Sequence, residues 1–188
     1  MRYLAPFFFI SLVTSSTVLA DVLDALAEKN SIAGHFIQRV ISPDEVVLES
    51  AKGQFRVLRP DYVWWQIDAP ERQLLIAAGD KLTQIDWDLE VIVERDITEE
   101  TRSVLHWLLA PRSVLENAFE IEMSDAEALL TPVAKGAGFL SMSISRVGED
   151  VWTLRITDLG RQVIEISLIE NPDILLDVTA FDAPETTF

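Results

Sequence analysis

Residues 53–93 read GQFRVLRPDYVWWQIDAPERQLLIAAGDKLTQIDWDLEVIV, and this stretch decides the fold class. It consists of short runs of apolar, aromatic and β-branched residues, each ended by proline, glycine or aspartate. Such runs predict strands, the last two of which form a hairpin around Trp87 and Asp88: residues 54–58, 62–67, 74–78, 81–86 and 90–95. Turn residues at this spacing are typical of an antiparallel meander or barrel.

The rest of the chain continues the pattern around two helical segments. A short amphipathic helix is predicted over residues 21–30, and a second helix begins at Thr98, ends before Pro111 and is followed by a helical turn at 113–117. Alternating apolar residues predict the remaining strands: 36–40, 46–49, 119–123, 140–144, 152–156, 164–168 and 175–181. We therefore expect one mainly β (α+β) domain over residues 21–188.

The first twenty residues have the features of a secretory signal peptide. Arg2 is their only charged residue, an apolar run follows it, and Val18 and Ala20 precede Asp21. This order predicts export and cleavage after Ala20, so that residues 1–20 are removed. The alternative, a membrane anchor, is disfavoured because the apolar core is shorter than the roughly 20 residues that span a bilayer.

Composition excludes several classes of site. The 188 residues include no cysteine, which excludes disulfides, thiol catalysis, thiolate metal sites and lipid attachment through an N-terminal cysteine. The formal net charge of −16 becomes −17 when Arg2 is removed with the signal peptide. Such a surface disfavours nucleic acid and anionic membranes. It fits either a basic partner or a generally solvated acidic surface.

No pattern points to catalysis, a metal or a cofactor. His35 and His106 lie in no metal-ligand spacing and beside no nucleophile motif, and the chain has no glycine-rich phosphate loop. Asp86, Asp88 and Glu90 alternate along the predicted hairpin, where a solvated tip explains them better than a calcium loop does. We expect a protein that is not an enzyme, although a hydrolase built from scattered carboxylates is the alternative.

Binding of something apolar is suggested by an excess of large apolar residues. Residues 62–65 are Tyr-Val-Trp-Trp, so both faces of that strand carry bulky groups. The predicted central helix adds a broad apolar stripe over residues 104–109. Two interpretations stay open at this point: an ordinary core that the helix closes, or a ligand cavity under a helical lid.

An ordered set of short motifs resembles the periplasmic outer-membrane lipoprotein carrier family, LolA. The motifs are a glycine-led strand that ends in Arg59-Pro60, an aromatic strand that ends in Trp64-Trp65, and then Ala69-Pro70. They continue along the chain in the family order: Gln73-Leu74-Leu75-Ile76, Gly79-Asp80-Lys81-Leu82, Ile85-Asp86, Asp88-Leu89-Glu90 and Asp158-Leu159-Gly160. No single piece is specific, and the resemblance rests on their order.

The resemblance implies a curved antiparallel sheet that forms an incomplete β-barrel, with helices as a lid over its concave apolar face. It implies a monomeric periplasmic chaperone for lipoproteins. Such a chaperone takes acylated cargo from an inner-membrane ABC release complex and delivers it to an outer-membrane lipoprotein receptor. The alternatives are a carrier or sensor of the same fold for another lipid or lipoprotein, and an adaptor that binds a protein with its lid face.

The resemblance also implies roles for particular residues. Arg59 matches the family arginine that latches the lid by donating to backbone carbonyls of the lid helices, a role that suits a planar guanidinium. The remaining matched residues are expected to line the acyl-chain cavity: Phe55, Val63, Trp65, Leu75, Leu105, Trp107 and Leu108. Val63 departs from the phenylalanine usual in the family, so the cavity is expected to be wider there.

Overall fold

The computed structural model describes residues 21–97, 107, 110–124, 126–134 and 137–185, so the predicted signal peptide, residues 1–20, lies outside it. Within these residues, 11 strands form one antiparallel sheet. In chain order they are β1 (Ser31–Ile41), β2 (Val47–Leu58), β3 (Tyr62–Ala69), β4 (Gln73–Ala78), β5 (Lys81–Asp86), β6 (Val91–Asp96), β7 (Phe119–Met123), β8 (Glu127–Pro132), β9 (Phe139–Val147), β10 (Val151–Asp158) and β11 (Val163–Glu170).

The sheet is built from two meanders joined side by side. The spatial order is β6-β5-β4-β3-β2-β1-β11-β10-β9-β8-β7, so β1 pairs with both β2 and β11. In the described part of the sheet, β6 and β7 are its two edges and pair with one neighbour each. One apolar cluster collects side chains from β2 and β3 and also from β8 to β10, so the sheet curves around it. The architecture is the predicted incomplete barrel.

Two α-helices are described, and both follow a local signal in the sequence. Helix α1 (Val22–Ala27) begins at Asp21, whose carboxylate accepts hydrogen bonds from the amides of Leu23 and Asp24 at 3.0 and 2.9 Å. Helix α2 (Arg112–Ala118) follows Pro111 and confirms the helical turn predicted at 113–117. The helix predicted to begin at Thr98 lies outside the described residues except for Trp107, which is helical.

The inner face of the sheet holds the main core, and helix α1 packs into it. Val22, Leu23 and Leu26 of α1 are buried in the same cluster as the strand residues. Phe36 and Trp65 stack there with ring centroids 3.8 Å apart. They can do so because Gly53 has no side chain: a Cβ at this position would lie 1.8 Å from the carbonyl oxygen of Gln66.

The outer face of β2 to β5 is covered by the C-terminal segment, and here one prediction is wrong. Residues 175–181 do not form a last strand; they end in a 3-10 helix, Val178–Phe181, whose Phe181 is buried. Phe181 packs with Trp64 and Leu74 on this face. Strand β11 already pairs with β1 and β10, so it offers no free side to a strand that directly follows it.

Three further details differ from the sequence-based expectations. The segments 46–49 and 54–58 belong to one continuous strand, β2, and strand β8 was not predicted. The hairpin tip is not wholly solvated, because Asp86 is only 7% exposed. Its Oδ1 accepts hydrogen bonds from the amides of Asp88 and Leu89 at 3.1 and 2.9 Å, so this carboxylate organises the turn after β5.

Candidate functional site

The candidate site is the apolar interior between α1 and the inner face of the sheet. The predicted cavity residues Phe55, Trp65 and Leu75 face each other across β2, β3 and β4, in the register Phe55↔Trp65↔Leu75. Val63 lies on the same face as Trp65, two residues along β3, and both are buried in the main cluster. The structure therefore brings these four residues together on the inner face.

Trp107 reaches the same interior from the segment before α2. Its ring meets Phe119 edge-on, with centroids 4.8 Å apart and planes at 84°. It is partly buried and packs against the main cluster. The two other residues predicted from the same helix, Leu105 and Leu108, lie outside the described residues.

Arg59 lies just after β2 and bonds the C-terminal end of α1. Its Nε donates to the carbonyl oxygen of Lys29 at 2.9 Å, and its Nη2 donates to that of Leu26 at 3.2 Å. The last carbonyls of a helix have no partner within the helix, so they are available to an external donor. Burial lowers the pKa of Arg59 below its ordinary value. An arginine nevertheless keeps its charge in proteins.

Three ion-pair contacts also fasten α1 and the connection that follows it, and sequence reasoning missed all three. Lys29 Nζ lies 2.7 Å from Glu170 Oε1 at the end of β11. At the other end of the helix, Arg112 Nη1 of α2 lies 2.6 Å from Asp21 Oδ2 and 2.6 Å from Asp24 Oδ1. The partners are far apart in the chain, so only a covariation signal from many related sequences would have found them.

Two small spaces lie beside Arg59 among the described residues. One space, lined by Leu26, Val57 and Leu168 among others, has a volume of about 20 Å³. A second, between α1, Trp107 and α2, has a volume of about 10 Å³. Each is about the size of one water molecule. Neither space, at the volume it has here, admits a hydrocarbon chain.

The outer face carries a different kind of concavity. An open groove of about 460 Å³ lies beside Arg56, Trp64, Arg72 and Trp87. The guanidinium carbons of Arg56 and Arg72 lie 4.2 Å from the ring centroids of Trp64 and Trp87, respectively. This lining is polar and charged, so the groove does not suit hydrocarbon.

Neither histidine marks a metal centre in the described part of the chain. His35 is exposed on β1, and His106 lies outside the described residues. Across the described ranges, no three histidine, aspartate or glutamate side chains gather closely enough to hold a metal ion. Those ranges also contain no helix with the length and apolar character needed to cross a membrane.

Comparison with known proteins identifies the family. The family model described as "Outer membrane lipoprotein carrier protein LolA" matches residues 27–182. The outer-membrane lipoprotein carrier protein of Alcanivorax borkumensis is 28% identical over 176 residues, covering 89% of this chain and 84% of that protein. That of Chromohalobacter salexigens is 28% identical over 175 residues, covering 88% and 83%.

Among solved structures, a LolA superfamily protein from Nitrosomonas europaea aligns with 88% of this chain and 99% of its own, at 12% identity and a TM-score of 0.46. The family match spans both meanders of the sheet, from α1 to the C-terminal 3-10 helix. The chain belongs to the LolA family of outer-membrane lipoprotein carrier proteins.

Proposed function

We propose that this protein is a periplasmic chaperone that carries lipoproteins with their acyl chains held between α1 and the inner face of the sheet. Family membership supports the proposal, as do relatives that bear the name outer-membrane lipoprotein carrier protein. In this proposal the chain is exported, cleaved after Ala20 and monomeric. It takes cargo from an inner-membrane ABC release complex, passes it to an outer-membrane receptor and catalyses no reaction.

The observation that carries the proposal is the contact between Arg59 and α1 above an apolar interior. A short helix covers bulky apolar side chains, and a guanidinium donates to one carbonyl in its last turn, that of Leu26, and to one just after it, that of Lys29. We propose that Arg59 is the lid latch. We also propose that the acyl-chain site is formed by residues that become accessible when α1 moves: Phe55, Val63, Trp65, Leu75, Leu105, Trp107 and Leu108.

A latch solves an energetic problem that any acyl-chain carrier meets. Burial of a methylene group contributes about 0.8 kcal/mol, so one 16-carbon chain contributes roughly 12 kcal/mol. Affinity of that size would prevent transfer to a receptor. If the empty protein is stable in a closed form, opening it costs free energy. The net affinity for cargo is then the affinity of the open form multiplied by the fraction of protein that is open.

The experiment is native mass spectrometry of the mature protein purified from the periplasm, compared with its Arg59→Leu variant. We expect acylated polypeptide to accumulate on Arg59→Leu, because the open form is favoured and release is slow. Arg56→Leu is the matched control: the same substitution three residues earlier, within β2 and on the outer face, where Arg56 donates to Ala180 O at 2.8 Å.

The outcomes separate the candidate functions. Bound triacylated polypeptide supports the lipoprotein carrier, and equal, fast unloading by wild type and Arg59→Leu contradicts the latch. A bound lipid of a different mass, without polypeptide, points to a carrier or sensor of the same fold for another cargo. Lipid-free protein that retains a protein partner replaces the carrier with an adaptor.

A further inference from the structure

Lys29 is held by two residues that come from different strands of the sheet. Its carbonyl oxygen accepts from Arg59 Nε at 2.9 Å, and its ammonium group donates to Glu170 Oε1 at 2.7 Å. Arg59 follows β2 and Glu170 ends β11, and these are the two strands that pair with β1. Lys29 lies in the connection between α1 and β1, so both contacts act on the point from which α1 extends over the interior.

The surroundings of Glu170 make this ion pair sensitive to movement of α1. The Glu170 side chain is 8% exposed and that of Lys29 is 28% exposed. Within the described residues, the second carboxylate oxygen, Oε2, is buried and has no hydrogen-bond partner. A carboxylate removed from water is costly unless it is paired. If Lys29 moved away with α1, Glu170 would lose its described charged partner.

Glu165, also on β11, forms ion pairs with Arg155 and, at 3.9 Å, with Arg39 of β1, and these differ from the Lys29–Glu170 pair in both position and burial. Arg155 Nη1 lies 2.8 Å from Glu165 Oε2, and this ion pair joins β10 to β11 across the sheet. The side chain of Arg155 is 51% exposed and that of Glu165 is 20% exposed. Movement of α1 leaves that pair intact, since neither residue belongs to the helix or to its connection. The Arg155–Glu165 pair therefore provides a matched comparison.

We propose that the Lys29–Glu170 ion pair is a second closing contact of α1, and that together with Arg59 it determines how readily the interior opens to acylated cargo. The proposal deepens the proposed carrier function and rests on it. The two contacts act by different chemistry: Arg59 holds backbone carbonyls, whereas Glu170 holds a side-chain ammonium that substitution can remove. Lys29 and Glu170 are thus positioning residues that control access to the site.

The first test measures opening without any cargo. Amide hydrogen exchange of residues 22–28 is compared between wild type, Glu170→Gln and Lys29→Met, with Glu165→Gln as the control. Loss of a hydrogen bond between charged groups predicts exchange at least about fivefold faster in α1 for the first two variants. We expect the amides of β1 and the Glu165→Gln protein to remain at wild-type rates.

A charge-swapped double variant, Lys29→Glu with Glu170→Lys, checks that pairing is responsible. Restoration of α1 exchange to within about twofold of wild type is expected. If exchange in α1 does not change in Glu170→Gln, the proposal is wrong. It is also wrong if all amides exchange faster by the same factor, because the ion pair then stabilises the whole fold and does not control the lid.

The second test uses a fluorescent dipalmitoylated lipopeptide as the probe. A larger open fraction should increase apparent affinity by about the same factor as the exchange, so the apparent Kd of Glu170→Gln for the probe should be about fivefold lower. An unchanged apparent Kd despite faster exchange overturns the proposed control of cargo. If no protein, wild type included, binds the probe although α1 exchange responds as expected, the carrier function fails while the closing contact stands.

Discussion

At the scale of single residues, the contact of Arg59 depends on the shape of its side chain. A guanidinium presents donors in a rigid planar arrangement, so Nε and Nη2 reach the carbonyls of Lys29 and Leu26 together. The acceptors are backbone atoms, which substitution in α1 does not remove. Such a contact restricts where the helix lies, but it does not require particular side chains in the helix.

Gly53 is the residue that the inner core tolerates least well when it is changed. A Cβ there would lie 1.8 Å from the carbonyl oxygen of Gln66 and 2.8 Å from the Phe36 ring. We predict that Gly53→Ala lowers the free energy of unfolding by about 3 kcal/mol, since β2 and β3 must separate or Phe36 must leave its stack with Trp65. Urea denaturation measures this loss.

Gly79→Ala is the matched control for that prediction. Gly79 has a φ of +61° and nothing within 4 Å of an added Cβ, so the substitution adds backbone strain without a collision. It should lower the free energy of unfolding by about 1 kcal/mol. Equal losses for the two variants would show that the close approach of β2 and β3 at Gly53 costs no more than backbone strain at a single turn.

At the scale of elements, α1 is a helix that depends on its surroundings. It has six residues, and isolated helices shorter than roughly 12 residues are marginal in water. Its position therefore rests on the buried Leu23 and Leu26, the Arg59 bonds and the charged contacts at each end. An element held by a few separable contacts is suited to open without unfolding the sheet.

The contact of α1 with α2 should depend on pH. Although partial burial acts to raise it, the pKa of Asp21 is held below its ordinary 3.8 by the hydrogen bond from Arg112 and those from backbone amides. A carboxyl group whose pKa is lower in the folded than in the unfolded protein stabilises the fold at pH values above its unfolded pKa. This stabilisation is lost as the pH falls through the folded pKa. We predict that Arg112→Met destabilises the protein most at pH 5–7, and progressively less below pH 3.8.

Urea denaturation at each pH measures this difference between wild type and Arg112→Met. Asp21→Asn is the control, because asparagine keeps an oxygen that can cap α1 but cannot titrate. In the Asp21→Asn background, the effect of Arg112→Met should vary much less with pH. A difference between wild type and Arg112→Met that stays constant from pH 7 to below 3.8 would rule out a contribution from Asp21.

The C-terminal segment acts as a cover for the outer face of the sheet. Phe181 is buried against Tyr62 and Trp64, with its ring centroid 5.4 Å from that of Tyr62. We predict that Phe181→Ala lowers the free energy of unfolding by about 3 kcal/mol through the cavity it creates, and that tryptophan emission shifts to the red as Trp64 meets water.

Leu175→Ala provides the comparison within the same segment. Leu175 is 93% exposed, so its truncation should change the free energy of unfolding by less than about 0.5 kcal/mol. If Phe181→Ala is equally harmless, the segment does not contribute to the stability of the outer face. Denaturation followed by tryptophan fluorescence measures both variants.

At the scale of the whole molecule, the contacts that close α1 meet where the two meanders join. The first meander runs from β1 to β6, the second from β7 to β11, and β1 pairs with β11 to unite them. Arg59 belongs to the first meander, Glu170 to the second, and Lys29 bonds both. If the protein is the proposed carrier, cargo binding at the inner face is coupled to contacts from both halves of the sheet.

Much of the strand pattern was predictable, because alternation along a strand is a local signal. Strands β3, β5 and β10 follow from alternating or aromatic runs bounded by turn residues. Strand β8 was missed because its sequence, EALLTP, is short and does not alternate regularly. The segment ending at Phe181 has an apolar pattern that suits a strand, but every neighbouring strand was already paired.

The candidate site was predictable only in part. Phe55, Val63, Trp65 and Arg59 were all selected by the resemblance to the family motifs, and the structure places the first three on one face. The sequence could not show that Trp64 and Trp65 serve different clusters, one under the C-terminal segment and one under α1. Burial on both faces of one strand depends on which distant segments pack there.

By itself, the sequence determined the β-rich class, the absence of cysteine chemistry and membership of a family recognisable from an ordered set of motifs. These are properties of composition and of neighbours along the chain. Only the tertiary structure decided that Lys29 meets Glu170, 141 residues away, and that Arg112 meets Asp21, 91 residues away. The reason is physical: such pairs form only when curvature of the sheet brings α1, α2 and β11 to one side, and curvature results from all the strands together.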